Sequence, residues 1–240
     1  MNVLISGAAG GIGSSIAKKF IEEGFEVYSL DLVSKDLGKH FHNLCGDVTN
    51  VKELENIKEK LNGVKFAHII TLAGRALQNE WMPFDSIDYQ TIHGSIELNL
   101  VGHLNVIRMF MDDLLGEKKS IVTISSINAL GGFGLPIYSA AKAGLIGFTH
   151  ALAPELTPKG IRINTVAPGT IITEATEKEP KDFDELLKTT DHGRFATKEE
   201  VAELVFNLCE KSNETNEIKI IDEGQSRRVR KWFLTDILAN

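Results

Sequence analysis

Asn2-Val-Leu-Ile-Ser-Gly-Ala-Ala-Gly-Gly-Ile-Gly13 opens the chain with a short apolar run that breaks into a glycine-rich turn. Asn2–Ser6 reads as a strand of the kind buried on both faces of a parallel sheet. Beyond the turn, Ile12, Ile16, Ala17, Phe20 and Ile21 recur at helical spacing. Glycines stand at Gly7, Gly10, Gly11 and Gly13, a G-x-x-x-G-x-G pattern rather than the commoner G-x-G-x-x-G. Such a turn suits backbone in unusual dihedrals, with no Cβ between a phosphate and the N–H groups at a helix N-terminus. It can also be only a tight connection. A second strand, Phe25–Leu30, argues for the phosphate. It ends at Asp31, and an acidic residue about 20 positions beyond the glycines is placed to meet the ribose hydroxyls of a bound adenosine.

Far downstream, Tyr138 and Lys142 stand four apart in Tyr-Ser-Ala-Ala-Lys. Positions i and i+4 share a helix face, so the lysine charge comes near the phenol and favours the phenolate. A phenol tuned in that way can pass a proton to or from a substrate oxygen. Alone the pair is a weak signal; with the opening turn it is a strong one.

Together these motifs make the chain resemble the short-chain dehydrogenase/reductase family, from about residue 2 to about residue 221. The same order brings Asp47-Val48, Ala73-Gly74, Asn99-Leu-Val-Gly102, Ile124-Ser-Ser126 and Pro168-Gly169 followed by Thr173. The resemblance implies a Rossmann-type α/β fold, a doubly wound parallel seven-stranded sheet in order 3-2-1-4-5-6-7, as a single domain over 1–240. Strands are expected near 2–6, 25–30, 41–45, 66–71, 120–125, 162–166 and 217–221, alternating with helices. Residues 170–197 fall where the family carries its substrate loop; Phe183, Leu186 and Leu187 suit one face of a short lid helix or of a solvated surface helix.

For the site, the resemblance implies Tyr138 as general acid/base, Lys142 tuning it and binding the nicotinamide ribose, Ser126 donating to the carbonyl oxygen, and Asn99 holding a water. Cofactor contacts would come from Gly7, Ala9, Gly10, Gly11, Ile12, Gly13, Asp31, Asp47, Val48, Ala73, Gly74, Tyr138, Lys142, Pro168, Gly169, Ile171 and Thr173. The serine stays open: Ile-Ser-Ser at the strand end favours Ser126, whereas counting back from Tyr138 favours Ser125, with a shortened Gly131–Gly134 loop between. Leu72 stands where the family has an asparagine, and a tail ending in Trp232-Phe-Leu departs from its pattern. NAD is the expected cofactor and NADP the less favoured one, because Asp31 would repel a 2′-phosphate and Ala8, Ala9 and Gly10 carry no charge. Lys35 could reach inward against that.

The expected reaction interconverts a secondary alcohol and a ketone. The alternatives are a 3-oxoacyl-thioester reductase and, from another class, a nucleotide-sensing protein without turnover. A nucleotide-sugar epimerase would need more chain beyond Ile221. The formal charge of −7 over 240 residues argues against nucleic acid as a partner. No apolar run reaches ~18 residues, and Met1 leads directly into the first strand, so neither a membrane span nor a signal peptide is expected. Cys45 and Cys209 suit reduced thiols in the cytoplasm. Histidine and cysteine spacing offers no metal site. His40 and His42 read as solvated. Arg75 reads as half of a surface salt bridge or a contact to an anionic substrate, and Trp81, Met82 and Phe84 as core or pocket lining. A homodimer or homotetramer is implied by the family.

Overall fold

The computed structural model describes residues 1–131, 134–174, 176–178 and 182–227. The tail around Trp232 and the middle of the 131–134 loop lie outside the described residues. Seven strands form one parallel sheet in the order β3-β2-β1-β4-β5-β6-β7. They are β1 (Asn2–Ser6), β2 (Glu26–Asp31), β3 (Phe41–Cys45), β4 (His68–Thr71), β5 (Ser120–Ile124), β6 (Arg162–Pro168) and β7 (Ile218–Ile221). Bounds differ from the sequence expectation by two residues at most. Phe66 begins the fourth segment only as an isolated bridge to Leu114.

Helices cover both faces, and the period-2 alternation of the strands assigns side chains to each. Val3 and Ile5 point to the layer of α1 (Gly11–Glu22) and α7 (Lys198–Glu210), where Ile16, Phe20, Val205 and Phe206 are buried. Leu4 points the other way, to α2 (Val51–Leu61), α4 (Gly102–Phe110) and α5 (Pro136–Leu156), where Leu54, Ile57, Ile107 and Leu156 are buried. Between α3 (Tyr89–Ile96) and α4 the helix continues through a π turn, Glu97–Val101. Asn99 lies in that turn rather than inside a regular helix. Such single-turn π segments recur at functional sites.

Where the family asparagine is missing, Leu72 N–H donates to Ser6 O at 3.1 Å, so β1 and β4 stay tied past their last residues. In 170–197, a short helix α6 (Phe183–Leu187) is started by the Asp182 side chain accepting from Glu185 N–H. Phe183, Leu186 and Leu187 are half-buried on it, and Phe183 meets the Phe195 ring edge-on. No described helix is long and apolar enough to cross a membrane.

Candidate active site

Strand β1 delivers the glycine turn, and the turn closes on itself. Gly7 has φ +81°, and a Cβ there would stand 2.8 Å from Ala73 N. A Cβ on Gly13 would lie 2.0 Å from Gly7 O, so α1 starts hard against the turn only because both positions are glycine. The N-cap residue Gly10 has no side chain and the first turn of α1 has no acid, so the helix's leading N–H groups are left for an anion. That cradle fits the diphosphate of a dinucleotide. Thr173 comes over it from beyond β6, 2.6 Å from where a Gly11 Cβ would be.

At the end of β2, Asp31 is held against the same turn: Oδ2 accepts from Ala9 N–H at 3.0 Å and Oδ1 from Val33 N–H at 3.3 Å. Lys35 does reach inward, its Nζ donating to Ala9 O at 3.0 Å. The backbone of one residue therefore carries a carboxylate on its N–H and an ammonium on its carbonyl, one on each of its two flanking peptide groups. Asp47, by contrast, spends its Oδ1 on Thr49 N–H and hydroxyl in the turn before α2. Val48 packs on α4, 2.6 Å from a Gly102 Cβ position.

The second cluster stands at the ends of β4 and β5. Lys142, on α5, is buried among neutral groups: Nζ donates to Ile124 O at 3.1 Å and lies 3.3 Å from His103 Nε2. It lies 5.7 Å from the Tyr138 ring centroid, one turn earlier on α5. Burial lowers the lysine pKa from 10.5 to about 7. A Cβ on Gly74 would stand 2.6 Å from Asn99 Oδ1 and 3.4 Å from Lys142 Nζ, so the turn after β4 lies directly on both. Asn99 Nδ2 donates to Arg75 O at 2.9 Å and to Ser95 O at 3.1 Å, while its buried Oδ1 has no hydrogen-bond partner among the described residues.

The two serines face opposite ways. Ser125 is buried and donates to Lys142 O at 2.7 Å, bracing α5. Ser126 is half-buried, caps the turn Ile127–Leu130, and its Oγ accepts from Asn128 N–H at 3.2 Å. Pro168 ends β6. Gly169 N–H donates to Ile221 O at 2.9 Å, and Ile171 is buried in the core layer of α1 and α7.

Two residues with no signal of their own in the sequence complete this region. Glu80 is buried, accepting from Leu77 N–H at 2.9 Å and from Tyr138 N–H at 2.8 Å. His103, four residues after Asn99, joins Lys142 to Thr71. Helical spacing from Asn99 puts His103 on the same face and is the one clue the chain offers to it. Trp81 is half-buried, and Met82 and Phe84 are exposed rather than core. Arg75 is exposed, and no carboxylate among the described residues pairs with it, so the surface salt bridge is absent. His40 and His42 are not free in solvent but share the Glu26 carboxylate at 2.8 and 2.7 Å. Among the described residues, no group of three or more His, Cys, Asp or Glu could hold a metal ion.

The sequence pattern of the short chain dehydrogenase family matches residues 1–184. The 3-oxoacyl-[acyl-carrier-protein] reductase FabG of Thermotoga maritima is 35% identical, over 92% of this chain and 96% of its own. Carbonyl reductase family member 4 of Xenopus laevis is 30% identical, over 92% of this chain and 95% of its own. Among solved structures, a 3-oxoacyl-[acyl-carrier protein] reductase from Brucella melitensis with bound NAD superposes with a TM-score of 0.84 at 28% identity, covering 94% of this chain and 90% of that one. With a cradle, a buried lysine and relatives along nearly all of its length, the chain belongs to the short-chain dehydrogenase family, oxidoreductases that work between CH–OH and carbonyl groups.

Proposed function

We propose that the protein interconverts a secondary alcohol and a ketone with NAD(H), using Tyr138 as general acid/base. The observation that carries this reading is the buried Lys142 ammonium beside the Tyr138 ring, one residue layer from Gly74 and the glycine cradle. A cation there stabilises the phenolate, so Tyr138 gives a proton to the substrate oxygen during reduction and takes it back during oxidation. Ser126, half-buried and holding Asn128 Oδ1 at only 3.2 Å, gives up that contact to donate to the same oxygen; Ser125, buried and donating to Lys142 O at 2.7 Å, braces the helix instead. Asn99 offers its unpartnered Oδ1 to a water behind Gly74. When bound, the nicotinamide supplies or accepts the hydride. Gly7 to Gly13 would hold its diphosphate and Asp31 its adenosine ribose, with Val48, Ala73 and Thr173 around it. Residues 170–197 would cover the substrate. The free cysteines fit a reducing compartment such as the cytoplasm, and the family favours a homodimer or homotetramer.

The test is Tyr138→Phe assayed over a panel of secondary alcohols and ketones with both nicotinamide cofactors. Turnover should fall at least ~10²-fold while NADH binding, followed by fluorescence, stays nearly intact. Near-normal turnover would sink the assignment. The 3-oxoacyl reductases among the relatives favour a second reading, in which the ketone is a 3-oxoacyl thioester. Acetoacetyl-coenzyme A belongs in the panel for that reason.

A further inference from the structure

His103 is fully buried at the start of α4, and both of its ring nitrogens are engaged. Nε2 lies 3.3 Å from Lys142 Nζ, and Nδ1 lies 2.9 Å from Thr71 Oγ1. An ammonium has only N–H donors, so the Nε2 facing it must accept. The ring proton then sits on Nδ1 and is donated to the Thr71 hydroxyl. Burial and the neighbouring lysine charge hold the imidazole well below its usual range, so it stays neutral. A buried ammonium normally keeps its proton by pairing with a carboxylate. Lys142 has instead one imidazole and one carbonyl, Ile124 O, which leaves one N–H for the side where Tyr138 stands.

We propose that His103 is a positioning residue for the reaction: its Nε2 orients the Lys142 ammonium and keeps it protonated, and thereby sets the pH at which Tyr138 works. The proposal rests on the reading of Tyr138 and Lys142 given above. The groups around Lys142 leave His103 as the deciding one. Its own helix contributes Tyr138, and α4 contributes His103. Strand β4 and the turn after it contribute the Thr71 hydroxyl and the Thr71 and Ala73 backbone behind the imidazole, all uncharged, and β5 contributes the Ile124 carbonyl. From the loop after β4, the Glu80 carboxylate reaches the helix a turn away, at Tyr138 N–H, and Asn99 faces Gly74 with a neutral amide. Removing the Nε2 acceptor leaves burial opposed by a single carbonyl. Lys142 then loses its proton at lower pH, and Tyr138, without a charged neighbour, needs higher pH to ionise.

The experiment follows the Lys142 ε-carbon by NMR through a pH titration of cofactor-free protein labelled at lysine, with Lys142→Arg to identify the signal. In the wild type the midpoint should lie at about 7. In His103→Leu it should fall by about one to two pH units, the range expected for losing one hydrogen bond to a charged group. His103→Gln, whose Oε1 reaches where Nε2 was, should restore most of it. Should the leucine variant not fold, His103→Asn keeps the Thr71 contact, falls short of Lys142, and should show the same fall. Alcohol oxidation, with the substrate the panel identifies, should shift its half-maximal pH upward in the leucine or asparagine variant and not in His103→Gln. Equal lysine midpoints in wild type and in a folded variant lacking the acceptor would overturn the proposal. Failure of Tyr138→Phe to lose turnover would instead overturn the underlying assignment, and the lysine titration would still report on His103.

Discussion

At Ala9 two side chains of opposite charge meet the backbone of one residue, and the choice of cofactor turns on them. Asp31 takes the N–H and Lys35 the carbonyl. A 2′-phosphate set beside Asp31 meets like charge, which costs several kcal/mol in a partly buried site. NAD should therefore be preferred by at least ~10-fold in kcat/KM. Lys35 offsets part of that repulsion, so Lys35→Ala should widen the preference and Asp31→Ser should narrow or reverse it. Steady-state kinetics with both cofactors on one substrate checks all three; equal efficiency in the wild type would remove Asp31 from the ribose. Tyr138, Lys142 and the glycines were legible because their chemistry depends on neighbours three to six positions away. His103 and Glu80 were not. Their partners stand 39 and 58 positions off in sequence, and only the folded sheet brings them together.

The element that most needs outside help is α5. It begins at Pro136 after Leu135, a non-glycine residue at φ +50° with no side chain to cap the helix. Glu80 provides the missing acceptor from the loop after β4, placing a carboxylate where the helix dipole favours one. Glu80→Ala should lower stability by about 2 kcal/mol, the scale of a charge-assisted hydrogen bond lost at a buried donor. Glu80→Gln, keeping one carbonyl oxygen, should lose less. Denaturant unfolding of the two variants measures the difference, and equal, negligible losses would mean the N–H groups find water. Strand and helix identities were readable from apolar periodicity, and β1 and β3 came out at the expected bounds. The π turn was not readable, since one extra residue in a helix leaves the spacing of apolar positions nearly unchanged. On α5, Ala141, Leu145, Phe148 and Leu152 recur at helical spacing; the first two are fully buried within the chain, and the other two pack on the same core as the sheet. That apolar stripe is in large part consumed by the fold.

Across the whole molecule, the sheet's polarity separates two sets of buried polar groups. The candidate site stands at the carboxyl ends of the strands. At the amino ends, His68 bridges Ser120 Oγ and Glu210 Oε1, both at 2.8 Å, while Arg162 donates to Leu208 O and Cys209 O. Burial lowers the His68 pKa from 6.5 to about 4, with Glu210 opposing the shift. Between those values the unfolded chain binds the proton and the native one does not, so stability falls as pH drops from 6.5 to about 4. The full loss is about 3 kcal/mol. Denaturation at pH 7 and pH 4.5 should reveal it, and His68→Gln should flatten the dependence; an unchanged slope would show that carboxylates alone govern acid unfolding. That same polarity has a practical side. The exposed turn Leu115-Gly-Glu117 leads into β5 at its amino end, a strand length of ~16 Å from the chemistry. A dye, an affinity handle or a solid support coupled at Glu117 would hang from the far edge of the sheet, leaving the edge that carries Tyr138, Lys142 and the glycine turn facing outward.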